Sequence, residues 1–397
     1  MFRDYPRLAA LFRMHAGWYA LGAAVALTLI GVEAIRTVEP YWASRQTVWF
    51  VVSLMVSSLC LLPRPRSVGL ASFALLGASV LLLLILVIPG IPETIAPKIN
   101  NARSWIDLQV IKFQPSELAK VAFVLAIAWY LRYRRSYRTM RGLSVPFLIM
   151  LAPVGLILKQ PDLGTAMIFI PALLVVLVAA GARLKHISAL LLVGVLAAGA
   201  VVAAIYVAPN LADQVLSDRQ QDRFRSLISV FRGDDRYAHS IGFQQDKSRE
   251  LIGAGGIRGY GAARSARLIR LHGLPFAYHD MIFAVIVNRW GLIGGLLVMG
   301  LYLVIVLCFA AIAGRSRDPF IRLAVIGFGG VLFSQAALNI GVSIGLLPVT
   351  GVTLPFVSYG GSSLVVTFMM IALSINFASY APATPARPSF EFAQAGS

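Results

Sequence analysis

The sequence predicts an all-α polytopic membrane protein with about ten transmembrane helices and one large extracytoplasmic loop between the seventh and eighth. Three observations lead there. The 397 residues are 58% hydrophobic and only 13% charged, a composition outside the range of soluble globular domains. The apolar residues are gathered in runs of about 20, the length an α-helix needs to cross a bilayer core, and short polar loops join the runs. The net charge of +18 sits in those loops and not on one soluble module, which argues against a nucleic-acid partner.

In chain order the spans fall at about residues 16–35, 46–62, 68–88, 115–131, 143–158, 163–180, 187–207, 281–313, 320–340 and 362–379. Arg3, Arg7 and Arg13 precede the first span, and Arg132, Arg134, Arg135, Arg138 and Arg141 crowd one short loop. The positive-inside bias makes both segments cytoplasmic, and ten spans then bring both termini to that side. The first apolar run is too long for a signal-peptide core and has no small-residue cleavage site, so an uncleaved anchor is expected. The whole chain, 1–397, reads as one integral membrane domain, with an extracytoplasmic loop over about 208–280 and a tail over about 380–397 expected to be disordered. Cys60 and Cys308 lie in apolar segments, as small core residues do.

Two spans depart from the simple pattern. The eighth exceeds 30 residues, so either it tilts or its start near Asp280 lies in the interface. Between the ninth and tenth, Gly341–Gly361 contains Pro348, Gly351, Pro355, Gly360 and Gly361, too many breakers for a spanning helix. A coiled or re-entrant piece lining a cavity is expected there, as the one strongly interrupted segment. Its continuation, Val357–Ser363, brings Ser358, Ser362 and Ser363 beside a helix N-terminus, which suits a phosphate or a sugar.

Ionisable residues inside or beside apolar spans are the candidates for chemistry. His279-Asp280 stands where the long polar loop meets the eighth span. Glu117 and Lys120 are three apart on one helix face, either a pair that steadies a helix end or two groups facing a cavity. Arg103, Trp105 and Asp107 precede them; Trp105 alone would read as an interfacial belt residue. Lys159 and Asp162 flank an outer turn, where Asp162 is placed to cap the sixth span or to meet a substrate. Arg289 lies about two turns beyond Asp280, and a buried guanidinium there needs a carboxylate, with Glu117, Asp162 or Asp280 as the candidates. Gly253–Gly261 is glycine-rich but lacks the lysine and serine of a phosphate loop, so a flexible surface loop is expected. His239, His272 and His279 show no metal-ligand spacing.

The stretches NARSWIDL, FQPSELAK, KQPDLGTA, GAGGIRGYG and LLPVTGVTLPFVSYGGSSL, in this order over nearly the whole chain, resemble the SEDS family of RodA, FtsW and SpoVE. The short tail and the terminal loop resemble RodA more than FtsW. The resemblance implies a peptidoglycan glycosyltransferase of the bacterial cytoplasmic membrane, which polymerises lipid II at the outer face beside a class B penicillin-binding protein. It places the family's functional aspartate on Asp280, as general base. Arg103, Trp105, Glu117, Lys120, Lys159, Asp162, Ser358, Ser362 and Ser363 match motif positions and are expected at the substrate, with Lys120, Arg103, Lys159 and Arg289 offsetting diphosphate charge. It also admits a divalent ion, Mg2+ or Mn2+. Two departures stand out: Tyr278-His279-Asp280 replaces histidine, threonine and aspartate, and Asn288-Arg289 replaces paired glutamates. A lipid flippase or a non-catalytic scaffold for the penicillin-binding protein are the alternatives.

Overall fold

A polypeptide in hydrocarbon has to satisfy its own backbone hydrogen bonds, and this chain does so with helices. The computed structural model describes residues 15–88, 90–94, 96–98, 103–107, 109, 112–134, 136–207, 221–222, 225, 241–274 and 277–380. The expectations for Arg3, Arg7, Arg13, Arg135, His239, most of 208–240 and the tail beyond 380 fall outside these residues. Twelve α-helices are described: α1 Ala16–Val38, α2 Pro40–Ser58, α3 Pro65–Val87, α4 Pro115–Leu131, α5 Met140–Lys159, α6 Leu163–Ala180, α7 Leu184–Val207, α8 Ile241–Gly255, α9 Gly261–His272, α10 Ile282–Arg315, α11 Pro319–Ser343 and α12 Gly361–Ser379. Before α4, β1 (Ile106–Asp107) pairs antiparallel with β2 (Lys112–Phe113). Proline opens α2, α3, α4 and α11, where its missing N–H loses nothing. Side chains of Thr139, Asp162 and Asp318 cap α5, α6 and α11.

Nine of the described helices are long and apolar enough to cross a membrane, so this is a multi-pass membrane protein. The tenth expected span is α4, which has 17 residues and rises only about 26 Å. It tolerates both its shortness and its charges because protein surrounds it. Every residue from Ala119 to Ala128 is buried, against α3, α5, α6 and α11.

Contacts at the helix ends fix the alternation of direction. Gly17 of α1 abuts Ile375 of α12, and Asn376 donates to the carbonyls of Cys60 (3.0 Å) and Pro63 (2.8 Å) after α2. Trp129 of α4, Phe320 of α11 and Phe377 of α12 meet edge to face at the same end. At the other end Trp42 of α2 stacks on Tyr278 before α10 and touches Tyr359 before α12. Cys60 and Cys308 are both free.

The long eighth span is resolved by a break. Gly291 has φ 70° and ψ −168°, a conformation only glycine adopts without strain, and it splits α10 in two. Of its 34 residues the 24 from Leu292 onward already rise about 36 Å, enough for the bilayer core. The short piece from Ile282 to Trp290 is therefore additional to the span, and a second interrupted segment exists where one was expected.

The glycine-rich stretch Gly253–Gly261 packs against this break. It is not a loose surface loop: it lies backbone to backbone against α10. Leu292 N donates to Gly256 O (2.8 Å) and Tyr260 N to Asn288 O (3.0 Å). A Cβ on Gly255, Gly259 or Gly291 would come within 2.3, 2.4 and 2.2 Å of the facing backbone. Asn288, one of the two departures, completes the joint by donating to Leu251 O (2.9 Å) and accepting from Ser265 Oγ (2.7 Å). Replacing Gly291 with valine should destabilise the fold by about 1–3 kcal/mol or more; a melting curve of detergent-purified Gly291→Val that overlays the wild-type curve would contradict this account.

Candidate functional site: a polar cavity at one end of the bundle

The first turn of α4 brings charge into the bundle. Glu117 and Lys120 share a face, as their spacing requires, and Lys120 Nζ donates to Glu117 Oε1 (2.8 Å) and to Gln335 Oε1 of α11 (2.8 Å). Both are almost fully buried, at 4% and 1% exposure. Gln335 passes the connection on, donating to Thr353 O (3.1 Å). The second carboxylate oxygen, Glu117 Oε2, is buried and accepts from no described residue.

Asp280 is placed by its backbone. Three successive carbonyls each find a donor: Tyr278 O accepts from Tyr359 N (2.9 Å), His279 O from Ser358 Oγ (2.6 Å) and Asp280 O from Asn339 Nδ2 (2.8 Å). Asn339 also donates to Val352 O (2.7 Å), and Gln46 of α2 donates to Ser358 O (3.1 Å). The segment before α10 is thus bound to the coil before α12, the irregular stretch expected from its prolines and glycines. Asp280 Oδ2 lies 3.8 Å from where a side chain on Gly351 would begin, which places the carboxylate beside the coil before α12.

Between these segments lies a cavity of about 400 Å³. Of the residues expected at a substrate, Trp105, Glu117, Asp162, Asp280 and Ser363 line it together. Lys120 sits behind Glu117. Amides and hydroxyls that single residues in the sequence do not advertise fill the wall: Gln114, Gln160, Gln335, Thr165, Thr350 and Thr353, with His279 and Tyr359 at Asp280. Asp162 caps α6, accepting from Thr165 N (3.0 Å) and Thr165 Oγ1 (2.8 Å), and also faces the cavity, so both readings of it apply. Burial raises its pKa, Thr165 opposes that shift, and the neighbouring Glu117 adds to it. Burial also lowers the pKa of His279, with the carbonyl of Tyr359 acting the other way.

Other expectations are corrected. Arg289 meets none of Glu117, Asp162 or Asp280; it faces α1, donating to Thr37 Oγ1 (2.6 Å), to Glu33 Oε2 (3.3 Å) and to the carbonyl of Glu33. Glu33 was hidden in a first span read as a plain anchor. Lys159, in the last turn of α5, is exposed and outside the cavity lining, while its neighbour Gln160 turns in. Ser358 and Ser362 are internal ties: Ser358 holds His279 and Leu354, and Ser362 donates to Lys112 O (2.9 Å). Arg103 is half-buried beside Ser104 and Trp105 but not in the lining. No group of three His, Cys, Asp or Glu side chains that could hold a metal ion occurs among the described residues. Two cavity carboxylates are already engaged, Asp162 as a cap and Glu117 by Lys120, so a resident divalent ion does not fit this donor set.

Comparison with known proteins decides the family. The model of the FtsW/RodA/SpoVE cell cycle proteins matches residues 8–382. The chain belongs to that family. Among its relatives, the probable peptidoglycan glycosyltransferase FtsW of Bacillus subtilis (strain 168) is 34% identical over 284 residues, 71% of this chain and 68% of the relative. The peptidoglycan glycosyltransferase MrdB of Escherichia coli (strain K12) is 33% identical over 267 residues, 67% and 68%. A chain from a structure described as "Structural coordination of polymerization and crosslinking by a peptidoglycan synthase complex" superposes with a TM-score of 0.75 at 30% identity, covering 91% of this chain and 97% of that one.

The Glu117–Lys120 pair should be unforgiving of a single change. Lys120→Met leaves a buried carboxylate uncompensated and should lower stability by about 3–5 kcal/mol, and adding Glu117→Gln should restore most of it. Thermal unfolding in detergent measures both; a double variant as unstable as the single one would refute the pairing.

Proposed function

We propose that this chain is a peptidoglycan glycosyltransferase that polymerises lipid II into glycan strands, with Asp280 as general base. The observation that carries the reading is the wall of the cavity: Asp280 stands among amides and hydroxyls, the groups that bind a sugar.

In the reaction Asp280 takes the proton of the acceptor's GlcNAc 4-hydroxyl as that oxygen attacks C1 of the donor sugar. The C1–O bond to the undecaprenyl diphosphate breaks and the diphosphate leaves. The expected cation cluster is redistributed, however. Lys120 is paired with Glu117, Arg289 shares Glu33 with Arg36, and Lys159 is exposed outside the lining. With Glu117 paired to Lys120, the acids Asp162 and Asp280 and the amides and hydroxyls of the lining suit a neutral sugar better than a diphosphate, which belongs outside the cavity near Arg103. A divalent ion, Mg2+ or Mn2+, would come with the diphosphate and be held by its oxygens.

Orientation follows from charge. Among the described short loops, Arg64, Arg66, Arg132, Arg134, Arg138, Arg141, Arg183, Arg315 and Arg317 lie at the end away from the cavity, against Arg36, Arg45, Lys98, Arg103, Lys112 and Lys159 at the cavity end, and the positive-inside bias assigns the richer end to the cytoplasm. Both termini are then cytoplasmic, and the cavity opens on the outer face, where lipid II and a class B penicillin-binding protein would meet it. A flippase would pair broken helices in its two halves; here the Gly291 break and the coil before α12 both fall in the last three spans.

The test is incubation of purified chain, with and without the penicillin-binding partner, with fluorescent lipid II and gel analysis. Asp280→Asn should lower polymerisation by about 10²–10⁴-fold with an unchanged melting curve. Polymer at wild-type rate from folded Asp280→Asn would remove the base assignment, and shape rescue by that variant in cells would favour the scaffold.

A further inference from the structure

One titratable side chain in the cavity wall has no part in the mechanism above: His279, beside Asp280. Its Nδ1 lies 2.8 Å from the carbonyl oxygen of Tyr359. A carbonyl only accepts, so Nδ1 carries the proton and the neutral ring keeps its one lone pair on Nε2. The orientation is held from several sides. Ser358 Oγ donates to the His279 carbonyl, Tyr359 N donates to Tyr278 O, and the rings of Tyr278 and Tyr359 lie 4.7 and 5.4 Å from the imidazole. With Nδ1 turned to Tyr359, Nε2 is the nitrogen left for the cavity that the ring lines.

We infer that Nε2 of His279 accepts a hydrogen bond from a sugar hydroxyl of the acceptor, so that His279 and Asp280 together receive two hydroxyls of one ring and set its angle to the base. This rests on the glycosyltransferase reading and deepens it, since it requires a polyol with more than one hydroxyl at the site. Protonation would convert Nε2 from acceptor to donor and defeat the contact. The groups facing the ring are Asp280 and Tyr278 on its own segment and Tyr359 on the coil before α12. Trp42 of α2 lies behind those tyrosines, and Glu117 and Asp162 lie across the cavity. Burial holds the imidazole below its usual value of about 6.5, so it is neutral at pH 7 and the contact is lost on acidification below that value.

The experiment measures kcat and KM for lipid II polymerisation by full-length protein with its partner, across pH, for wild type, His279→Asn and His279→Gln. Asparagine keeps a donor toward Tyr359 and removes Nε2; KM should rise about five- to tenfold, the worth of roughly one hydrogen bond, with a smaller change in kcat. The acid limb in KM should disappear. Glutamine sets an amide oxygen near the Nε2 position and should recover part of the KM, again without the limb. Wild-type KM and an unaltered acid limb in His279→Asn would overturn the inference, because an anchoring role alone survives that change. If His279→Asn melts early, the limb of His279→Gln decides, and its persistence overturns the inference. Absence of polymer from wild type, or activity in Asp280→Asn, would instead strike the glycosyltransferase reading itself.

Discussion

Irregular backbone inside a membrane protein must find a donor for every carbonyl it cannot bond within a helix, and the architecture here follows from that constraint. Between Val342 and Tyr359 the chain is mostly not helical, yet eight of its carbonyls are met by side chains from elsewhere in the fold. Gln245 takes Val342 and Leu347, Ser248 takes Ser343, Asn339 takes Val352, Gln335 takes Thr353, Tyr302 takes Pro355, Gln46 takes Ser358 and His279 takes Tyr359. These donors come from α2, α8, α10, α11 and the segment before α10. The coil is therefore gripped from four helices and from the segment before α10, and two of these donors, Gln335 and His279, also line the cavity.

Charge is distributed by the same logic. The buried Lys120 joins Glu117, and Arg289 shares the half-exposed Glu33 of α1 with Arg36. Pairing Lys120 with Glu117 cancels most of the field either would exert alone, so two charges are accommodated at depth with little net effect on the cavity. Arg289 illustrates the point. An arginine where relatives of this pattern carry acids looks like a rewired active site, but its guanidinium turns the other way and fastens α10 to α1.

Much of the fold could be read from the chain, because hydropathy runs, prolines at helix starts and arginines in alternate loops are local signals. The Glu117–Lys120 contact was legible from a spacing of three, and the coil before α12 from its prolines and glycines. The cavity itself was less so. Gln160, Gln335 and Thr353 come from three distant segments, and an isolated glutamine in an apolar helix carries no mark of which way it faces. Glu33 escaped for a related reason: a carboxylate near a span end has an ordinary interfacial explanation. The glycine-rich stretch at the end of α8 reads by composition as loose, whereas two of its glycines, Gly255 and Gly259, lie where backbone presses on backbone, which only the three-dimensional juxtaposition with α10 reveals.

That juncture has a mechanical side. The lower rod of α10, beyond Gly291, is the part that lipid can lean on, while the upper piece bearing the residues after Asp280 is strapped to α8 and α9. The rod is tied at its first residues as well, because the N–H groups of Leu292 and Ile293 donate to the carbonyls of Gly256 and Ile257. Both sides of the break are thus seated in one joint, which fixes the direction in which the chain bearing the acid leaves the lipid-facing rod.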